Sequence, residues 1–230
     1  MTTTDHQTYL DREFLVAPTP TASVTGLAGA APVTDGRHAR RHRATEAVVT
    51  ATIDLFAEGE LYPTAQQIAA RAGVSLRSLF RYADSLERLS SVALGAWEQQ
   101  FPALRLTPRD PAAPLADRAR WLASHQTAFW VMTTQYRWAV RTLRVRMPDA
   151  GIVADGWASI TRSNVEEHLA PELATFDTEE RHLRLGAADV AVQAATTDHL
   201  YGPLAMEQPD LATTVGLLVE GALRLPPRRG

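Results

Sequence analysis

Apolar residues recur at helical spacing along most of the chain, beginning near Arg43. The first stripe stands at i, i+3, i+7 and i+8 and consists of Val48, Ala51, Leu55 and Phe56. Residues at this spacing share one face of an α-helix. Because glutamate and glycine follow the stripe, the predicted helix ends near Glu58 and Gly59.

Two short helices are predicted next, from capping signals. Thr64 is followed three residues later by Gln67, a capping box in which each side chain satisfies a backbone N–H of the other residue. Gly73 predicts the end of this helix, because glycine tolerates the left-handed backbone of a helix C-terminus. Ser75 can cap the following helix, Leu76 to Tyr82. Two short helices joined by only three residues have the spacing of a helix-turn-helix.

The remainder of the chain is also predicted to be helical. Asp84-Ser85 and Glu87 predict a fourth helix, after which prolines mark a linker. From Leu115 onward we find no alternating strand pattern and no hairpin turn, and we expect at least four more helices. The last two, about Glu179 to His199 and from Leu211 onward, are apolar on more than one side, so a second copy of the chain would cover the excess in a four-helix bundle.

The overall charge argues against a protein that coats nucleic acid without specificity. The formal net charge is −3, and every basic side chain other than histidine is arginine. The basic charge is nevertheless local, because four arginines lie within one short segment: Arg37, Arg40, Arg41 and Arg43. Contact with a polyanion at one place requires such a local concentration.

Several function classes lack their sequence signatures. The absence of cysteine excludes disulfides, thiolate metal sites and a cysteine nucleophile. His125, His168, His182 and His199 are not paired at i, i+4, so neither a metal nor another cofactor is expected. No nucleophile elbow, phosphate loop or H-E-x-x-H motif occurs, so no enzyme is expected. Without a secretory signal or a membrane-length apolar run, we expect a cytoplasmic protein with no membrane partner.

The first half of the chain resembles the DNA-binding domain of TetR-type transcriptional regulators. The resemblance covers about residues 40–97 and is carried by the helix that starts at Arg43 and by the run from Thr64 to Tyr82. The positions at the family's spacing are Ile68-Ala69, Ala72-Gly73-Val74-Ser75 and Leu79-Phe80. Beyond this part, the resemblance concerns only helix order and dimer packing.

The resemblance implies an all-α protein with two domains. Residues 1–36 are rich in Thr, Ala, Pro and Gly and are predicted to form a flexible N-terminal extension. Residues 37–97 would form the three-helix helix-turn-helix domain that binds DNA. Residues 98–230 would form a helical ligand-binding and dimerisation domain.

The resemblance also implies how DNA is contacted, with the third helix in the major groove. Arg77 is the expected base reader, flanked by Leu76 and Ser78, because arginine can donate two hydrogen bonds to guanine, worth about 1–3 kcal/mol of discrimination. Phe80, Arg81 and Tyr82 match family positions that contact sugars and phosphates. The full expected set of DNA-contacting residues is Arg37, Arg40, Arg41, Arg43, Thr64, Ser75, Leu76, Arg77, Ser78, Phe80, Arg81 and Tyr82.

Three features leave alternatives open. The segment from Arg37 to Arg43 is either an arm that reaches phosphates or a minor groove, or a solvated tail. Phe80 either faces the DNA backbone or packs in the helix-turn-helix core. The family usually has an aromatic residue in place of Ala83 and a phosphate-binding lysine in place of Leu86, so that contact falls to Arg81, Arg88 or the arm, or binding is weakened.

The C-terminal half contains candidates for an effector site. Large apolar side chains there can line a pocket between helices, or simply fill the core. The candidates are Trp121, His125, Phe129, Trp130, Tyr136, Trp138, Met147 and Trp157. The arginines of residues 137–146 present either a basic face to an acidic ligand or, more simply, a solvated helix face.

The expected function is therefore that of a homodimeric repressor. It would bind an approximately palindromic double-stranded DNA operator and lose affinity when a small-molecule effector occupies the C-terminal domain. One alternative is a TetR-like protein that binds a ligand or partner but binds DNA weakly or not at all. A more remote one is a helical enzyme with His125 or His168 as base.

Overall fold

The computed structural model describes residues 36–101, 103–147 and 152–224. Within these ranges all regular secondary structure is α-helical, which confirms the all-α fold class. The helices are α1 (Gly36–Ala57), α2 (Ala65–Ala72), α3 (Leu76–Tyr82), α4 (Leu86–Glu98), α5 (Leu115–Met132), α6 (Thr134–Leu143), α7 (Ile152–His168), α8 (Ala170–Leu173), α9 (Thr178–Val192), α10 (Ala194–Tyr201) and α11 (Gln208–Arg224). Residues 1–35 of the predicted extension lie outside the described residues.

The described residues divide into two compact units. The first consists of residues up to Asp54 together with Pro63–Gln100, and the second of Leu55–Tyr62 and everything from Phe101 onward. The first unit therefore holds most of α1 and all of α2, α3 and α4, whereas the second holds α5 to α11. None of the described helices is both long and apolar enough to cross a membrane.

Helix α1 begins seven residues before the position that the sequence predicts. Its predicted apolar stripe is buried, with Phe56 fully enclosed. Arg40 to Arg43 form part of its first turns, where Nε of Arg43 donates to the Ala39 carbonyl (3.4 Å) and Oγ1 of Thr45 to the Arg41 carbonyl (3.1 Å). The basic segment is therefore helical, because arginine is a good helix former and the helix continues through it, and Arg40, Arg41 and Arg43 are exposed on its surface.

The core of the second unit forms where α11 packs against α5 and α9. It consists of apolar side chains from α5, α7, α9 and α11, with Leu173 of the short α8. Helices α5 and α11 approach closely at Gly216, where a Cβ atom would lie 3.3 Å from Cα of Arg120. Leu218 of α11 is 48% exposed, although Val215 and Val219 of the same helix are buried.

The prediction of a single helix over about residues 179–199 is wrong, because two helices occupy this segment. Helix α9 ends at Val192, and α10 begins at Ala194, with Gln193 between them in an extended conformation (φ −73°, ψ 159°). Nε1 of Trp130 donates a hydrogen bond to the Val192 carbonyl at 2.7 Å. This carbonyl therefore has a partner on α5 where the helical hydrogen bonds are interrupted.

Candidate functional site

The helix termini around α2 and α3 follow the predicted capping pattern. Oγ1 of Thr64 accepts from the Gln67 backbone N–H (3.2 Å), and Oε1 of Gln67 accepts from that of Thr64 (2.7 Å), which completes the capping box. Gly73 has φ 66°, in the left-handed region. Oγ of Ser75 accepts from the Ser78 N–H at 3.2 Å and caps α3. The two helices are thus joined by a short turn with both ends capped.

Helix α3 packs through one side and leaves the other exposed. Leu79 is fully buried, and Ala83, at the C-terminus of α3, is also buried. Arg77 and Arg81 are exposed, and Leu76 and Phe80 are 40% and 52% exposed although both are large apolar residues. Phe80 therefore does not fill the core of its unit, which removes the packing alternative for this residue.

The arginines on this face differ in what they contact. Arg81 donates to the hydroxyl of Tyr82 at 2.9 Å, and its guanidinium lies 5.1 Å from the centre of that ring. In the described part of the chain, Arg77 has no hydrogen bond or ion pair. Arg77 is therefore available for an external acceptor, whereas Arg81 is oriented by its neighbour. The hydroxyls of Ser75 and Ser78 are 3.0 Å apart and contact each other.

The remaining predicted DNA contacts are two N-cap residues and the arginines in the first turns of α1. Thr64 and Ser75 are the N-cap residues of α2 and α3, so their oxygens already serve the helices. Arg40, Arg41 and Arg43 are exposed on α1, and the side chain of Arg37 lies outside the described residues. Leu86, at the position of the family's lysine, is the first residue of α4, whose N-cap Ser85 accepts from the Arg88 N–H (3.1 Å).

Four of the predicted effector contacts form one aromatic cluster in the second unit. Phe129, Tyr136 and Trp157 surround Phe101, with ring centres 6.5, 5.2 and 6.1 Å from it. Trp130 joins through Phe129, at 5.2 Å. The four predicted residues are all buried, so the rings mainly contact one another. Phe101 was missed by sequence reasoning; the only available signal was an aromatic residue at the start of a proline-rich linker.

Trp121 and His125 belong to a second aromatic cluster. The ring of Trp121 lies 4.1 Å from that of His125 and 5.1 Å from that of His168, with interplanar angles of 36° and 21°. His168 is almost fully buried and is a further residue that the predicted effector site left out. Within the described residues, no three histidine or carboxylate side chains are grouped as metal ligands would be.

The last two predicted effector contacts join neither cluster. Trp138 is 54% exposed on α6, where the guanidinium of Arg141 lies 5.9 Å from its ring centre. Met147 is half-buried beyond the end of the same helix. The arginines of residues 137–146 do not form one solvated face either, because Arg137 makes a two-pronged ion pair with Asp198 (2.6 and 2.7 Å).

Comparison with known proteins adds no family assignment. No protein-family model matches the chain, and no curated protein is significantly similar to it.

Proposed function

We propose that the chain is a DNA-binding transcriptional regulator of the TetR type, acting as a repressor in the cytoplasm. The observation that carries the proposal is the exposed face of α3, where Arg77 has no internal partner and lies beside the exposed Leu76 and Phe80. A short capped helix with a free guanidinium and apolar contacts suits major-groove readout of guanine and of thymine methyl groups.

Exposed arginines on three helices of the first unit support the backbone contacts of the same proposal. Arg81 on α3, Arg88 on α4 and Arg43 on α1 are exposed and can neutralise phosphates. The hydrogen bond to Tyr82 already restricts the side chain of Arg81, so Arg81 loses less conformational entropy when it binds a phosphate. With leucine at position 86, phosphate contact on α4 is assigned to Arg88.

A second copy of the chain is the proposed partner of α9 and α11. Leu183 and Val190 on α9 are 41% and 65% exposed, and Leu217 and Leu218 on α11 are 64% and 48% exposed. These helices pack against each other, and exposed apolar side chains concentrated on two adjacent helices are typical of an interaction surface. A symmetric dimer would present two copies of α3 to an approximately palindromic operator.

A small-molecule effector would act through the second unit. The half-buried Trp121 and His125, and the aromatic cluster around Phe101, are the sites where an apolar ligand would displace existing ring contacts. Such a ligand lowers operator affinity only if it binds more tightly to a conformation that binds DNA poorly.

The proposal is tested by selecting oligonucleotides with the wild type and with Arg77→Ala. We expect the variant to lose preference at one base position per half-site by roughly 5- to 150-fold, the equivalent of about 1–3 kcal/mol. Arg120→Ala, which removes an exposed arginine of α5, is the matched control and should leave the preference unchanged. An unchanged preference in Arg77→Ala would exclude this residue from base readout.

The same assay separates a regulator from a protein that has lost DNA binding. Binding to the selected oligonucleotide should weaken steeply with salt, because each neutralised phosphate releases counterions. Failure to bind any oligonucleotide at low salt would favour the alternative, a TetR-like protein that binds only a ligand or protein partner.

The dimer is tested with Leu217→Asp. A charge at the centre of an apolar interface should raise the dimer dissociation constant by at least tenfold, measured by sedimentation equilibrium. Val145→Asp is the control, because Val145 is 84% exposed on another surface segment and its substitution should leave the constant unchanged. Equal dissociation constants for Leu217→Asp and wild type would place the interface elsewhere.

A further inference from the structure

A short segment that follows α4 forms two hydrogen bonds with one side-chain amide of α7. We call Ala103–Arg109 the strap. Nδ2 of the buried Asn164 donates to the Leu104 carbonyl (2.8 Å), and Oδ1 of the same side chain accepts from the Leu106 N–H (3.1 Å). Because the strap is not part of a helix, these two hydrogen bonds give the Leu104 carbonyl and the Leu106 N–H the partners that buried backbone groups need.

Two arginines of the strap make further contacts, one with α7 and one with α5. Arg105 forms an ion pair with Glu167 of α7. The guanidinium of Arg109 lies 5.4 Å from the centre of the Trp121 ring, a cation–π contact with α5. Thr107, between these two arginines, brings its backbone to His168. The strap therefore covers the cluster of Trp121, His125 and His168.

The hydrogen bonds of the two imidazoles define the nitrogen that carries the proton in the neutral form. Nδ1 of His125 donates to the Trp121 carbonyl (2.8 Å), and Nδ1 of His168 donates to the Asn164 carbonyl (2.7 Å). Nε2 of His168 is buried without a hydrogen-bond partner of good geometry. A proton added to the buried His168 ring would therefore bring a charge into a poorly solvated position.

Burial disfavours the charged form of both rings. It lowers the pKa of His125 below its usual value, against the hydrogen bond to the Trp121 carbonyl, and the charge of Arg109 lowers it further. Burial also lowers the pKa of His168, and the nearby His125 adds to this, although the backbone of Asn164 and Thr107 and the charge of Glu167 act in the opposite direction.

Several charged groups on the helices around the cluster form ion pairs with one another. On α5, Arg118 binds Glu172 of α8 and the His168 carbonyl. On the strap, Arg105 binds Glu167. The charges that α9 presents to α7 are paired as well, Arg181 with Glu166 and Asp189 with Arg162.

We propose that the strap is a pH-sensitive fastening, which protonation of His125 and His168 releases from α5 and α7. Release removes Arg109 from the neighbourhood of His125, admits water to His168, and frees Glu167 from Arg105 so that it can neutralise the protonated His168. These changes stabilise the protonated rings, and for His168 they outweigh the loss of the Thr107 backbone contact, because burial has the larger influence on the pKa of His168. A state that binds protons more tightly is populated as the pH falls.

The sign and size of the effect follow from linkage. Each ring is harder to protonate while the strap is bound, so release is favoured as the pH falls through the usual titration range of histidine, about 6.5. At pH 5.5, each histidine can increase the ratio of released to bound strap by up to about tenfold, and both together by up to about a hundredfold.

The fastening is tested by hydrogen exchange of the Leu106 amide in the full chain, whose hydrogen bond to Asn164 exists only while the strap is bound. The exchange rate is divided by that of a free peptide of the same sequence at the same pH, which removes the intrinsic pH dependence. We expect the ratio to rise by tenfold or more between pH 7.5 and pH 5.5. Asn164→Ala should exchange rapidly at both values.

The matched variants are chosen to keep the local hydrogen bonds. Asparagine can donate from Nδ2 where histidine donates from Nδ1, so His125→Asn/His168→Asn should keep the strap bound and lose the pH response. Each single variant should retain a response of about tenfold at most. His182→Asn, at an exposed histidine of α9, is the control and should behave as the wild type.

The outcomes separate this inference from the proposed function. A wild-type ratio that does not change with pH, or a double variant that keeps the full change, would overturn the fastening. Operator binding is measured on the same samples at both pH values. Absence of DNA binding at either pH would contradict the proposed function alone, because the exchange of Leu106 does not depend on DNA.

Discussion

On α3 of the first unit, Arg77 and Arg81 are exposed beside Leu76 and Phe80, whereas Arg118 and Arg184 of the second unit are buried. The same side chain therefore serves two purposes. At the surface, it is available for an external anion. In the interior, its five N–H groups must all find acceptors, so it connects helices that are distant in sequence.

The two buried arginines donate hydrogen bonds to carbonyl and carboxylate groups on several segments of the second unit. Nε of Arg118 donates to the Ala113 carbonyl (2.9 Å), while its terminal nitrogens bind Glu172 and the His168 carbonyl. Arg184 binds Glu180 and the Ala222 carbonyl (2.8 Å). An arginine in a helical sequence thus marks an interface only when the fold leaves it unpaired, and the density of arginine alone does not identify a binding surface.

The largest expected effect that tests this comparison is that of Arg118→Ala. The substitution leaves the partly buried Glu172 without its partner, and breaking such a buried pair costs about 3–5 kcal/mol. Arg120→Ala removes an exposed arginine two residues away, whose pair with Asp117 spans 3.6 Å, and should cost less than about 1 kcal/mol. Urea denaturation measures both, and similar losses would mean that burial does not distinguish the two arginines.

A smaller effect is expected from Arg137→Lys. Lysine keeps the charge but cannot reproduce the two-pronged contact with Asp198 or the hydrogen bond to the Trp130 carbonyl (2.9 Å), so we expect a loss of about 1–2 kcal/mol. Arg141→Lys, four residues later on the exposed side of α6, should change the free energy of unfolding by less than about 0.5 kcal/mol. If Arg137→Lys left the free energy of unfolding unchanged, a positive charge at this position would be sufficient to hold α10 to α6.

Local signals in the sequence were sufficient for α2 and α3 of the first unit. Thr64 and Gln67, Gly73 and Ser75 determine where α2 and α3 begin and end, because each acts on backbone groups within three or four residues. The exposed side of α3 also follows from the spacing around Leu79. The start of α1 was placed too late, since the polar residues before the apolar stripe gave no amphipathic signal although they favour a helix.

Long-range contacts determine what the sequence did not predict. The break between α9 and α10 coincides with a hydrogen bond from Trp130 to Val192, which are 62 residues apart. The strap depends on Asn164, about 60 residues away, whereas the prolines in and around the strap predicted only a linker. The aromatic residues assigned to an effector site were recognised by type, but their division into two clusters depends on how α5 and α7 pack.

The close approach of α5 and α11 at Gly216 restricts position 216 to glycine but does not restrict position 217. Any side chain there would push against the backbone of α5, so position 216 should remain glycine as the sequence diverges. Leu217, one residue later, points to the exposed side, where replacement affects only what docks on that surface. Related proteins could therefore change their assembly partner through single substitutions while the register of α11 on α5 is inherited unaltered.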